Sequence, residues 1–275
     1  MSRFSIVLGD KVSRHRAVFL ELVESLSWGL QSLGHEVQSA LLPGVHHGAR
    51  DIILAPHLLL GERLDLAPGT IVYNAEPFCS PNFVQSLKLL ARPEVQVWDY
   101  WRRTTEFLLA LGIPAKTVPF AWCPSFSRRR SPAPSSTRDI DVVFVGSISP
   151  RRAKVLEDLA AHGPSIRTAV LFGVYGAERD AMLCRAKVCL NMHYWEEGGC
   201  EDLRILLAAS NAVAVVSEGE PDEPYKAQWA KWTSYPALAA ECVYQVQSGS
   251  WLHQGALGCA SVQMRDAASV LRQVL

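Results

Sequence analysis

The chain has 275 residues, 49% apolar and 20% charged, which is enough for one large domain or two of ordinary size with substantial cores. The 27 Lys and Arg residues balance the 27 Asp and Glu, so no general field would hold nucleic acid or an anionic membrane, and we expect no nucleic-acid partner. Seven cysteines without a CxxC pair argue against a disulfide framework, and the N-terminus shows no apolar segment of signal-peptide length; the reading is a cytoplasmic protein with room for a peripheral membrane contact.

Short β-rich runs alternate with helical patterns, the mark of parallel α/β sheets. Phe4–Leu8 reads as a first strand. Phe19, Leu22, Val23, Leu26 and Leu30 then recur at helical spacing, and Gly34 supplies a left-handed stop. Val37–Leu42, Ile52–Ala55 and Thr70–Asn74 are strand candidates. Ser80-Pro81 is a capping hydroxyl with proline at the first helical position, and Val95–Trp98 is the next strand. Asp99 is read as a cap for the helix carrying Phe107, Leu108 and Leu111, which Gly112 ends.

Cys123–Asp139 is rich in proline, serine and arginine and poor in apolar residues, so it reads as a linker. After it come strands at Ile140–Val145, Thr168–Phe172, Val188–Met192 and Ala212–Ser217. Helices are expected near Arg152–Ala161, Ala177–Cys184, Asp202–Ala209 and, at the end, Ser261–Leu275. The expected organisation is an N-terminal domain over 1–122, a linker over 123–139 and a C-terminal domain over 140–275, whose last helix can pack back on the first domain.

The second half carries the sharper chemistry. A buried strand runs into Gly146-Ser147 and on to a helix opening with Arg151-Arg152. Backbone N–H groups, a helix N-terminus and guanidinium forks would converge there on an anion such as a pyrophosphate. Further on, a strand ends in Asn191 and His193, a loop carries Gly198-Gly199, and a helix opens with Glu201 and Asp202. A carboxylate at that place can take two ribose hydroxyls, with Arg204 one turn along. His46-His47 has no partner spacing that would complete a metal set, and no metal ligands are assigned.

Together these motifs resemble the donor-binding part of GT-B glycosyltransferases, especially the CgeB-like group and its relatives in the glycosyltransferase 4 clan. The matching segments are Val145-Gly146-Ser147 before Arg151-Arg152, Glu178-Arg179-Asp180, Asn191-Met192-His193, Glu201 to Arg204, and Val215-Val216-Ser217-Glu218. Tyr73-Asn74-Ala75-Glu76 and Trp98-Asp99-Tyr100 add to the likeness from the first half, so it covers roughly residues 70 to 220. Many clan members carry a glutamate where His193 stands, a departure that the CgeB-like pattern accommodates.

The resemblance implies an α/β GT-B fold, two Rossmann-like domains with parallel sheets facing a central cleft, the first for acceptor and the second for donor. It implies transfer of a sugar from a nucleotide-sugar co-substrate, without metal or other cofactor, to an unidentified glycan, lipid-linked or small-molecule acceptor. Gly146, Ser147, Arg151, Arg152, Arg179, Asn191, His193, Gly199, Glu201 and Arg204 would hold the donor. Glu76, Asn74 and His193 would serve catalysis, Glu76 as general base on the acceptor hydroxyl. Two other readings remain: a GT-B-like protein that binds nucleotide or glycan without turnover, and a dinucleotide-dependent oxidoreductase. The first βα turn, with Gly9 before Asp10-Lys11-Val12, lacks the G-x-G-x-x-G that the oxidoreductase requires.

Overall fold

A computed structural model describes residues 1–9, 14–59, 64–128, 137–199 and 201–275, with 14 and 15 described by backbone alone. The chain divides into two compact units, Met1–Ala121 with Asp266–Leu275, and Trp122–Arg265.

The first unit is built from β1 (Arg3–Leu8), α1 (Leu20–Ser32), β2 (Glu36–Ala40), β3 (Arg50–Leu54), β4 (Ile71–Asn74), α2 (Pro81–Leu90), β5 (Gln96–Asp99), α3 (Arg102–Ala110) and β6 (Ala115–Thr117). Its strands form one parallel sheet in the order β2-β1-β3-β4-β5-β6. The inner strands read as continuous apolar runs because a parallel sheet is covered on both faces. Ile52, Ile53, Leu54, Ile71 and Val72 are fully buried. Ser80 caps α2 by accepting from the Asn82 N–H at 3.2 Å.

The second unit continues with β7 (Ile140–Val145), α4 (Pro150–Ala160), β8 (Thr168–Leu171), α5 (Gly176–Cys184), β9 (Ala186–Asn191), α6 (Asp202–Ser210), β10 (Ala214–Glu218), β11 (Lys231–Thr233), α7 (Leu238–Ser248) and α8 (Trp251–Gln263). Its parallel sheet runs β11-β10-β9-β7-β8. The chain starts at β7, adds β8 on one side and returns to place β9 on the other. The order therefore reverses between β7 and β9, and the crevice outside the carboxyl ends of two such strands is where open α/β sheets bind ligands.

Three expectations are corrected. The Pro/Ser/Arg-rich stretch is not wholly a linker. Cys123 and Phe126 are fully buried in the second unit, Asn211 Nδ2 donates to the Phe126 carbonyl at 2.9 Å, and the Arg138 guanidinium donates to the Ala186 and Asn211 carbonyls. The rest of that stretch, residues 129–136, lies outside the described residues. The single terminal helix is two: α8 ends at Gln263, Asp266 caps a new helix through the Ser269 N–H at 2.7 Å, and α9 (Ala267–Leu271) belongs to the first unit. Ala267 and Leu271 approach α1 at Gly29, where an added Cβ would meet them within 2.9 Å. Asp99 lies inside β5, and its Oδ1 accepts from the Trp101 N–H at 2.8 Å; Trp101 is the residue at the cap position of α3.

Candidate functional site

The carboxyl ends of β7, β9 and β10 bring Gly146, Asn191, His193 and Glu218 together with the openings of α4 and α6. Gly146 has φ +147, and a Cβ there would lie 2.8 Å from Arg204 Nη2 and 3.4 Å from Arg152 Nη1. Glycine is thus required twice, by the backbone and by the closeness of two guanidinium groups. Ser149 turns the chain into α4 by accepting from the Arg152 N–H at 3.3 Å.

From that first turn the two arginines diverge. Arg152 is 2% exposed, and its guanidinium donates to the carbonyls of Ser147 (2.9 Å), Met192 (2.7 Å) and His193 (3.3 Å) and to Glu201 Oε1 (2.5 Å). Burial lowers its pKa to about 10, with Glu201 opposing the shift, so it stays charged at neutral pH. Arg151 forms a two-pronged pair with the Glu218 carboxylate, and its guanidinium lies 3.9 Å from the centre of the Tyr235 ring, whose hydroxyl donates to the Arg151 carbonyl at 2.7 Å.

Arg204 donates to Asn191 Oδ1 at 2.7 Å and to Glu201 Oε2 at 3.3 Å, and Asn191 Nδ2 donates to Ser217 Oγ at 3.0 Å. The His193 N–H donates to Glu218 Oε2 at 2.9 Å, and its Nδ1 lies 3.9 Å from Glu218 Oε1. Burial lowers the His193 pKa, with Glu218 and Glu201 acting against it, which favours the neutral ring. For Glu201 and Glu218 burial raises the pKa, yet the facing arginines prevail and both carboxyls are held below their ordinary range. The result is a lattice of three guanidinium groups and two carboxylates at the switch point of a parallel sheet.

Most of the residues expected to hold the donor meet in this lattice. Gly199 sits half-buried in the loop beside it, and Ser147 takes part through its carbonyl. Arg179 is engaged elsewhere, with Asp180 on its own helix at 2.7 Å; Arg128 lies 2.9 Å from the other oxygen of the same carboxylate. Glu218 ends the Val215-Val216-Ser217-Glu218 motif, to which the sequence attaches no role. A carboxylate closing an apolar strand beside an arginine-bearing helix is the signal that would have found it. Tyr235 carried no signal, since its position depends on the sheet order.

The first unit gathers a second group at the carboxyl ends of β4 and β5. Asn74 is fully buried, its Nδ2 donating to Asp99 Oδ2 at 2.6 Å and to the Glu76 carbonyl at 2.7 Å, while its Oδ1 accepts from the Glu76 N–H at 3.3 Å. Glu76 Oε2 accepts from Ser80 Oγ at 2.8 Å, and Oε1 faces His57 Nε2 at 4.0 Å. Burial raises the Asp99 pKa to about 7, against the hydrogen bonds from Asn74 and Trp101 that favour its charged form. Asn74 and Glu76 therefore stand together, with Asp99 and His57 beside them. Trp98 and Trp101 are core residues, whereas Trp195 is 40% exposed.

An alpha-glucosyltransferase in complex with UDP and a 13-mer DNA containing an HMU base superposes with a TM-score of 0.67 at 10% identity, over 99% of this chain and 98% of that one. The fold is GT-B. An alpha-glucosyltransferase structure with UDP and DNA carrying an A:G mismatch matches this GT-B chain with a TM-score of 0.57 at 6% identity, over 99% and 98% of the two chains. The T4 phage BGT structure with UDP and Mn2+ gives 0.50 at 12% identity, over 99% and 95%. No family model matches the GT-B chain. Two uncharacterized proteins of Acanthamoeba polyphaga mimivirus are 37% identical over 60 residues and 38% over 85, which is 22% and 30% of this chain. The chain spans only 7% and 12% of the length of these curated relatives.

These likenesses correct one expectation. Exclusion of nucleic acid rested on a zero formal charge, yet two GT-B structures of the same build hold DNA. A net charge is a sum over the whole surface and says nothing of where the arginines are concentrated. Among the described residues no helix is long and apolar enough to cross a membrane.

Proposed function

We propose that the protein is a glycosyltransferase that binds a nucleotide-sugar in its second unit and transfers the sugar to an acceptor hydroxyl. The observation that carries the reading is the arginine–carboxylate lattice at the switch point between β7 and β9. A nucleoside diphosphate offers such a site two anionic phosphates and a ribose diol. In this scheme Arg151 and Arg204 take the diphosphate: among the described residues each keeps N–H groups beyond those already bonded. Arg152 has spent four hydrogen bonds on carbonyls and Glu201, so its part is to hold the site together. Glu201 takes the ribose hydroxyls, and neutral His193 lies on the sugar side.

In the first unit Glu76 accepts the acceptor's proton as its oxygen attacks the anomeric carbon, with Asn74 fixing the Glu76 backbone. The nucleoside diphosphate leaves with the bonding electrons, its charge taken up by the guanidinium groups. No metal is assigned to this scheme.

The test is a calorimetric panel of UDP, GDP, dTDP, ADP and NAD, repeated with Mn2+ and with chelator. Binding of one nucleoside diphosphate, undiminished by chelator, is expected. Binding of NAD alone, or of nothing, overturns the reading. A second reading concerns the acceptor: the fold likeness to a glucosyltransferase holding DNA favours a hydroxyl on a modified DNA base. Transfer of labelled sugar to a hydroxymethylpyrimidine oligonucleotide, and not to its unmodified counterpart, would establish it.

A further inference from the structure

We propose that Lys226 is a positioning residue for nucleotide recognition: with Asp202 and Asp222 it clamps the first turn of α6 so that Glu201 presents its remaining lone pairs to the ribose diol. The inference rests on the donor reading above. Lys226 is 1% exposed, its Nζ lying 2.5 Å from Asp202 Oδ2 and 2.8 Å from Asp222 Oδ1, and 6.0 Å from the centres of both the Tyr225 and Trp229 rings. Asp202 is equally buried and opens α6, directly after Glu201. Glu201 sits at the cap position with no side-chain cap bond, and its carboxylate reaches instead to Arg152 and Arg204. Two carboxylate oxygens offer about four acceptor directions, so two remain for hydroxyls.

A buried ion pair of this kind adds little to stability over an apolar pair of the same volume. What it fixes here is direction. The segment after β10 carries Lys226 by hydrogen bonds from Trp229 N–H (3.0 Å) and Trp232 Nε1 (3.2 Å) to its carbonyl, and the ammonium then sets the height and rotation of the α6 opening.

The test takes the nucleoside diphosphate that binds in the calorimetric panel and compares it with its 2′,3′-dideoxy form in wild type, Glu201→Gln, Asp222→Asn and the double variant Lys226→Met/Asp202→Leu. The double variant replaces the buried pair by apolar groups, and its melting temperature is measured alongside because Asp222 loses its cation. Wild type prefers the diphosphate over its dideoxy analogue by roughly tenfold, as for hydroxyls bonded to a charged group. That preference collapses in Glu201→Gln and in the double variant, and falls in the same direction in Asp222→Asn, whose carboxylate is partly exposed and whose fold is not at risk. A wild-type preference retained in the double variant, or in Asp222→Asn should the double variant not fold, overturns the inference and leaves the donor site standing. A wild type that binds no nucleoside diphosphate overturns both.

Discussion

At Gly146 one methyl group has two separable effects. Gly146→Ala would strain a backbone at φ +147, at about 1–3 kcal/mol, and push Arg204 away from Asn191 and Glu201. We expect a lower melting temperature together with weaker binding, in titration, of the nucleoside diphosphate that the proposed donor site takes. The arginines separate the same two effects. Arg152→Ala leaves three carbonyls without their donor and Glu201 with Arg204 alone, and is expected to destabilise by about 1–3 kcal/mol in chemical denaturation. Arg204→Ala, on a more exposed group, is expected to reduce binding of the proposed nucleoside diphosphate by roughly tenfold or more at smaller structural expense.

The Asp99 carboxyl makes a pH prediction. Its folded pKa of about 7 exceeds the unfolded value of about 4, so the native state holds the proton more tightly. Its contribution to stability is complete below pH 4 and declines as pH rises to 7. Asp99→Asn is expected to flatten that decline in denaturation curves taken across this window. The arginine pair and the glycine were legible in the sequence because their chemistry is local. The division of labour between Arg151 and Arg152 was not, because it depends on which carbonyls β9 brings beneath each.

Helix ends were the most readable elements. Ser149 and Ser80 each cap a helix that begins with proline, and Ser149→Ala is expected to cost about 1 kcal/mol in denaturation midpoint. The elements that escaped the sequence have physical reasons. β6 and β11 each have three residues, too few to show an alternation. α7 has its apolar positions at Leu238, Cys242, Val243 and Val246, but the signal is short and follows Tyr235-Pro236. α8 holds Gly255 and Gly258, poor helix formers. Gly255 is there because a Cβ would fall 2.4 Å from the Ala212 carbonyl oxygen, a packing requirement with no local signature.

For the whole molecule, the sequence puts the change of domain at a linker over 123–139, because the alternation of strands and helices restarts at Ile140, whereas the second unit begins at Trp122. The last helix is expected to be able to pack back on the first domain, but the position of the second crossing, after Arg265, has no loop of distinctive composition to mark it. Residues 266–275 complete the first unit by laying α9 on α1. Their deletion is expected to speed hydrogen exchange in α1 and leave α4 and α6 protected, which mass spectrometry would resolve peptide by peptide.

Both crossings lie side by side: the Trp122 N–H donates to the Arg265 carbonyl at 3.2 Å. Seen as a gene, the second unit is a cassette nested inside the first, entering and leaving at a single seam. A cut at that seam lifts out Arg151, Arg152, Arg204, Glu201 and Glu218 as one contiguous segment, and leaves the other sheet with two neighbouring ends to rejoin. Under the proposed donor role, exchange of such cassettes among relatives would alter which nucleotide is read without redesigning the half that carries Asn74 and Glu76.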